Sequence, residues 1–268
     1  MDLWAAAMCR IEVLIKCVTS LLYSMPNTDA THWQPNKMSR RNKLQKFAEI
    51  LAFPNVFENY GEYTPNPSLV GERGKPVDMK GNWNKIFFKN DNPITLELAC
   101  GKGDYTVGLA KMYPERNFIG VDIKGNRIWR GAKTALEENL NNAAFLRTRI
   151  EQIDHFFAKD EVSEIWITFP DPFLKKESRR LTALPFLKLY TQILRKGGLI
   201  HLKTDSRELY DYTVDESLPN QDIFEMLYHN SDIYKEGLIM SELDIKTYYE
   251  KKHLENGKKI TYTRMRLI

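Results

Sequence analysis

The chain runs to 268 residues, 43% of them hydrophobic and 12% aromatic, which suffices for one domain of ordinary to large size and excludes a chain too polar to build a core. Lys and Arg exceed Asp and Glu by 39 to 35, a mild excess that fits an anionic partner without requiring one. Three cysteines, Cys9, Cys17 and Cys100, supply neither a disulfide framework nor a metal spacing, so the expectation is a reducing, cytoplasmic setting and no metal.

Taken in chain order, the first 37 residues are balanced, with Arg10, Lys16 and Lys37 against Asp2, Glu12 and Asp29, so the net charge of +4 belongs to residues 38–268. This leader is apolar, yet Arg10, Glu12 and Lys16 leave no run of about 18 uncharged residues, nor a short apolar stretch ending in a small-residue cleavage site. No membrane partner is expected. Met38 is followed by SRRNKLQKFAEI, which reads as the start of a soluble protein. The expected organisation is therefore a non-essential over-extension at 1–37, a basic arm and irregular lead-in at 38–93, and the main domain at 94–268. Residues 54–82, with four prolines and four glycines, form the irregular part.

From residue 94 short apolar runs alternate with longer amphipathic ones, the pattern of strands crossing over through helices. The strand candidates are 94–98, 117–121, 143–147, 164–169 and 199–203. Helices are predicted at 104–113, 124–141 and 181–196, the last with Leu184, Leu187 and Leu194 near helical spacing and Gly197-Gly198 as its stop. Two further strand-like runs, 223–229 and 259–268, are expected to pair as an antiparallel edge across a long connection with no obvious helix. The fold class is α/β, a doubly wound, mostly parallel sheet. A monomer is the default expectation.

Directly after the first of these strands comes Glu97-Leu-Ala-Cys-Gly101-Lys-Gly103-Asp104. Glycines at 101 and 103 let the backbone turn tightly and approach a ligand at the mouth of the next helix. A glycine pair alone is more often a plain turn. The next strand, however, ends in Gly120-Val-Asp122, where a carboxylate can accept both hydroxyls of a ribose. A dinucleotide site would carry a third glycine where Thr106 stands, which argues against NAD.

E-x-x-x-G-x-G with an acid ending the next strand resembles the class I methyltransferase pattern, which implies S-adenosyl-L-methionine. On that resemblance Glu97 lies near the methionine end, Gly101 and Gly103 pass under the ligand, and Asp122 holds the ribose. The first small position of the loop is Ala99 rather than Gly, tolerable if its dihedrals are ordinary.

The fourth strand runs into Phe169-Pro170-Asp171-Pro172 and then into Lys175, Lys176, Arg179 and Arg180. Proline, aspartate and proline can simply break a strand. Open parallel sheets nevertheless place chemistry at strand carboxyl ends, which puts Asp171 in one crevice with Gly101 and Asp122.

Together LELACGKGDYT, FIGVDIKGNR, ITFPDPFLKKESRRLT, LIHLKTDSR and Lys246-Thr247-Tyr248-Tyr249-Glu250 resemble the bacterial tRNA (guanine-N7-)-methyltransferase family from about Met38 to the C-terminus. The resemblance implies a seven-stranded, Rossmann-like class I fold and methyl transfer to N7 of a guanosine in tRNA, at position 46 of the variable loop. It implies that Asp171, Thr204 with Asp205, and Thr247 with Glu250 surround the target guanine, with Asp171 and Asp205 doing the catalytic work. Two departures matter. The family commonly has Trp and a nearby His in the basic loop, where this chain has Phe173, no His and a loop about two residues shorter. Where the family often shows Asp near the adenine, this chain reads Arg149-Ile150-Glu151, so adenine recognition falls to backbone and apolar contact at Arg149 and Ile150.

Guanine N7 carries a lone pair and no hydrogen, so methylation needs no base and rests on positioning and electrostatics. The cations then have a use: Arg40, Arg41, Lys43 and Lys46 form one phosphate-binding candidate, and Lys175, Lys176, Arg179 and Arg180 a second. Plainer readings stand beside these. Asp205 can cap a helix starting near Ser206, and Glu250 can lie on a solvated face beside Lys251 and Lys252. The rival functions are a class I methyltransferase with another substrate and a catalytically silent RNA-binding module.

Overall fold

The computed structural model describes residues 43–59 and 67–268. The chain divides into two compact units, Met1–Ala48 and Glu49–Ile268. The leader, its boundary at Met38, Arg40 and Arg41 lie outside the described residues; Lys43 and Lys46 are on helix α1 (Lys43–Ile50).

The larger unit is built on strands β1 (Val56–Glu58), β2 (Ile94–Leu98), β3 (Asn117–Asp122), β4 (Ala143–Arg147), β5 (Val162–Thr168), β6 (Leu194–Thr204), β7 (Phe224–Asn230) and β8 (Thr261–Leu267). Their spatial order is β1-β4-β3-β2-β5-β6-β8-β7, with β8 antiparallel to both β6 and β7 and the rest parallel. Helices α2 (Asp104–Met112), α3 (Gly125–Glu137), α4 (Leu184–Tyr190), α5 (Arg207–Asp211), α6 (Ile233–Glu236) and α7 (Tyr248–Glu255) connect or cover them. Chain order reverses across β2 and β5, and a doubly wound sheet opens its ligand crevice at the carboxyl ends beside such a switch.

Side chains two residues apart share a face of a strand, and the core divides accordingly. Ile119, Val121, Ala144, Leu146, Ile165 and Ile167 enter one apolar cluster, while their neighbours Phe118, Ala143, Phe145 and Trp166 enter a second on the other face. The inner strands are therefore apolar throughout, as strands covered on both faces must be. On α3, Ile128, Ala132 and Ala135 repeat at helical spacing and seal the second cluster.

Three details differ from the sequence expectation. Among the described residues the sheet has eight strands, because Val56–Glu58 in the supposedly irregular lead-in pairs with β4, and Phe57, Leu69, Met79 and Trp83 enter the core. Trp83 also stacks on Phe157 at 5.3 Å, meets Phe57 edge-on at 4.9 Å and donates its indole N–H to the Phe156 carbonyl at 2.8 Å. The helix expected to end at Gly197-Gly198 instead stops at Tyr190, and the glycines lie inside β6, where Leu194 and Leu199 pair with Val162 and Glu164 across a bulge. The connection between β7 and β8 is not structureless: it holds α6, a short helical turn at Ser241–Asp244, and α7.

Candidate functional site

At the end of β2 the chain coils through three residues with left-handed backbone, Ala99 (φ 56°), Gly101 (φ 55°) and Gly103 (φ 70°), into α2. The condition set for Ala99 is not met: its Cβ stands in the left-handed region, which costs an L-residue about 1–2 kcal/mol. Gly103 has a second constraint, since a Cβ there would fall 2.5 Å from the Phe145 ring. Asp122, at the end of β3, fastens this loop. Its Oδ2 accepts from Gly101 N–H at 2.9 Å and its Oδ1 from Lys124 N–H at 2.7 Å, leaving a lone pair on each oxygen for a diol.

Glu97 lies beneath the loop, 2% exposed. Its Oε2 accepts from the Thr106 N–H at 2.7 Å and hydroxyl at 2.6 Å, and its Oε1 from the Thr168 hydroxyl at 3.0 Å. Burial pushes its carboxyl up to about 7, against the pull of these donors. The residue ties the first turn of α2 to β2 and β5.

A cleft of about 780 Å3 runs along the strand ends, a size suited to a small-molecule ligand with room beside it. One end is lined by Ala99, Asp122, Ile123, Thr148, Arg149 and Ile150, the other by Phe169, Asp171, Asp205, Tyr249, His253 and Lys258. The cleft thus brings together the predicted Asp122, Arg149, Ile150, Asp171, Arg179 and Asp205. Glu97, Gly101, Gly103, Lys175, Lys176, Arg180, Thr204, Thr247 and Glu250 are outside its lining.

Asp171 is exposed on a strained turn: Phe169 (φ 49°) and Phe173 (φ 42°) flank it in left-handed backbone, and its Oδ1 accepts from Phe173 N–H at 3.0 Å. Backbone strain of this kind is kept where surrounding structure holds a functional geometry. Among the described residues no cation pairs with Asp171. Lys175, Lys176 and Arg179 are exposed, but Arg180 turns inward. Its Nε donates to the Pro172 carbonyl at 3.1 Å and its guanidinium lies 4.4 Å over the Tyr212 ring, so it anchors the turn rather than facing outward.

Asp205 follows β6. Ser206, not Asp205, caps α5, its hydroxyl accepting from Leu209 N–H at 3.2 Å. The Asp205 carboxylate faces the cleft, with Lys258 Nζ at 2.6 Å and His253 Nδ1 at 3.5 Å from Oδ2. His253 also stacks on Phe169 at 6.1 Å. Thr204 is buried, its hydroxyl accepting from Ser206 N–H at 3.1 Å.

Thr247 caps α7, accepting from Glu250 N–H at 3.1 Å. Glu250 is neither on a solvated face nor in the cleft: it is fully buried against Lys203, whose Nζ stands 2.7 Å from Oε1. Tyr234 donates its hydroxyl to the same carboxylate at 2.7 Å. Lys203 further donates to Tyr105 Oη at 3.0 Å and to the Leu243 and Ile245 carbonyls at 2.7 and 3.2 Å. Burial pulls the Lys203 ammonium down to about 8 despite the carboxylate beside it. This buried web pins α7, and with it Tyr249 and His253, to the end of β6.

Sequence reading missed Lys203, Phe169, Tyr249, His253 and Lys258. A signal existed for Lys203, a lysine inside the buried strand LIHLKT, because a fully buried ammonium demands a partner. None existed for His253 and Lys258, which reach Asp205 only through the path of the chain.

Comparison with known proteins agrees with this architecture. The family described as "Putative methyltransferase" matches residues 91–263. A tRNA (guanine-N(7)-)-methyltransferase of Christiangramia forsetii is 49% identical over 233 residues, covering 86% of this chain and 100% of the relative. One from Porphyromonas gingivalis is 51% identical over 215 residues, 78% of this chain and 83% of the relative. Among solved structures, the antibiotic-resistance methyltransferase Kmr is similar in fold, with TM-score 0.53 and 16% identity over 72% of this chain and 95% of that one. The 16S rRNA methyltransferase KamB is similar at TM-score 0.52 and 11% identity over 72% and 96%.

Proposed function

The chain belongs to the tRNA (guanine-N(7)-)-methyltransferase family and transfers a methyl group from S-adenosylmethionine to N7 of a guanosine in tRNA; on that premise we propose how its cleft divides the work. The observation that carries the division is one continuous cleft with Asp122 at one end and Asp171 and Asp205 at the other.

S-adenosylmethionine supplies an electrophilic methyl on a sulfonium when bound. The donor set suits it: Asp122 keeps acceptor capacity on both oxygens beside a loop whose first left-handed residue, Ala99, lines the cleft. Asp122 holds the ribose hydroxyls, Gly101 and Gly103 give the loop its close approach, and Arg149 and Ile150 flank the adenine. Glu97 acts from below by holding the loop and α2 in register.

At the other end Asp171 and Asp205 accept the N1 and exocyclic N2 hydrogens of the target guanine. N7 is unprotonated, so these residues move no proton. They orient the base and stabilise the positive charge it acquires, each by up to about 4 kcal/mol for a charge pair at about 4 Å in an intermediate dielectric. Lys175, Lys176 and Arg179 contact tRNA phosphates while Arg180 steadies their loop. The accepted nucleotide is the guanosine at position 46. The enzyme is a cytoplasmic monomer in which the catalytic domain takes in residues 49–268, since the lead-in supplies β1 and core side chains, and residues 1–37 are dispensable. No helix among the described residues is long and apolar enough to cross a membrane.

The test is to incubate the protein with labelled S-adenosylmethionine and unmodified tRNA and map label by aniline-sensitive cleavage. Label at the variable-loop guanosine is expected. Label at another nucleotide overturns the position, and binding without label overturns the catalytic reading in favour of a silent RNA-binding module.

A further inference from the structure

We propose that Lys258 is a positioning residue that competes with the methylated base for Asp205 and thereby drives product release. The inference rests on the assignment of Asp205 to the target guanine. Lys258 Nζ lies 2.6 Å from Asp205 Oδ2, and both residues line the cleft. The Asp205 side chain is 16% exposed and that of Lys258 50%, so the ammonium enters from solvent onto a carboxylate that is largely enclosed. Lys258 follows Gly257, whose backbone is left-handed (φ 70°) and around whose Cβ position there is open space. Gly257 N–H on the Leu254 carbonyl at 2.9 Å and Lys258 N–H on the His253 carbonyl at 3.0 Å fix this backbone just past the end of α7, so any exchange of partners rests with the half-exposed Lys258 side chain.

The reaction creates the need for such a competitor. The methyl carbon leaves sulfur, which keeps the bonding pair and becomes neutral, and the N7 lone pair forms the new bond, so the base turns from neutral to cationic. Carboxylates that stabilise this change hold the product more firmly than the substrate. A neutral guanine can share Asp205 with Lys258. A cationic one cannot do so without like-charge repulsion, and one cation must leave. An ion pair whose ammonium is half-exposed is weak, so Lys258 gives way as the base turns cationic and returns to displace it at little cost. Asp171 has no paired cation among the described residues, which confines the competition to Asp205. His253 Nδ1 stands 3.5 Å from the same oxygen, farther than Lys258.

The experiment compares Lys258→Met, which keeps the aliphatic stem, with the unaltered protein for affinity to unmethylated and N7-methylated tRNA and for the time course of methylation. Lys258→Met should bind methylated tRNA about three- to tenfold more tightly, with a smaller gain for unmethylated tRNA. It should also show a burst of one turnover followed by a slow steady state, and Lys258→Arg should restore the unaltered behaviour. Parallel loss of affinity for both tRNAs would make Lys258 a phosphate contact and overturn the proposal, as would equal gains for both. If the unaltered protein forms no N7-methylguanosine, the functional reading itself has failed. If it does and Lys258→Met behaves identically, only this inference has.

Discussion

The two ends of the cleft are assembled by different means. At the Asp122 end, residues 97–106 and 122–124 interlock through short-range contacts in which a carboxylate accepts backbone N–H groups, so the loop is set before any ligand arrives. At the Asp171 end, three distant segments converge on one space, and a fully buried ion pair between Lys203 and Glu250 decides where the last of them sits. A backbone-built site is rigid and depends on few side chains. A site gathered from three segments depends on interactions away from its own surface.

The largest effect should come from the interaction that separates the two ends. Lys203→Met leaves Glu250 buried without its cation, a change that typically destabilises by about 3–5 kcal/mol and lowers Tm by about 10 °C for a unit of this size. In the fraction that folds, S-adenosylmethionine affinity should survive while the tRNA Kd rises; calorimetric titration with each ligand checks this. Equal loss of both would mean that the ends are not independent.

Glu97 supplies the corresponding test at the other end. Its folded carboxyl stays protonated up to about 7, whereas the unfolded one ionises near 4.5. The stability it contributes is therefore complete below 4.5 and lost as pH rises through about 7, a change of about 3 kcal/mol. Urea unfolding across about pH 5 to 8 should show that slope in the unaltered protein and a flatter one in Glu97→Gln.

Asp171→Ala should keep the fold and the cofactor affinity and lose about a hundredfold in turnover, as for removal of one preorganised electrostatic contact. Unchanged turnover would transfer the work to Asp205. The smallest effect is expected at Ala99→Gly, where relief of the left-handed Cβ should stabilise by roughly 0.5–1 kcal/mol after the added chain entropy of glycine. Thermal unfolding with and without S-adenosylmethionine would show whether this loop gains ligand affinity as well.

Most of the sheet was legible because its strands carry their own signal. In 94–98, 117–122 and 143–147, apolar residues fill both faces and turn residues bound each run, so no distant partner is needed to recognise them. The edge strand Val56–Glu58 was missed because three residues carry no period, and they become a strand only by pairing with β4. The glycine pair at 197–198 was read as a helix stop because glycine serves that role and the role of a strand bulge equally well.

The candidate site divides in the same way. Gly101, Gly103 and Asp122 were found from spacing alone, since the turn and the adjacent strand end are both local. Glu250 was expected beside the target guanine but is buried against Lys203 outside the cleft lining, a pairing the sequence could not show because the partner lies 47 residues away on another strand.

By itself the sequence determined the alternation of strands and helices, the order of the strand-end loops and the placement of carboxylates after β3, β5 and β6, because these follow from period and turn chemistry within about ten residues. Only the tertiary structure decided that Ala99 is left-handed, that Arg180 turns inward and that Glu250 is buried against Lys203. It alone brought Lys258 to Asp205 across 53 residues. Such pairings are set by how the sheet crosses over and which helix is pinned to which strand, and no local pattern of residue types encodes that.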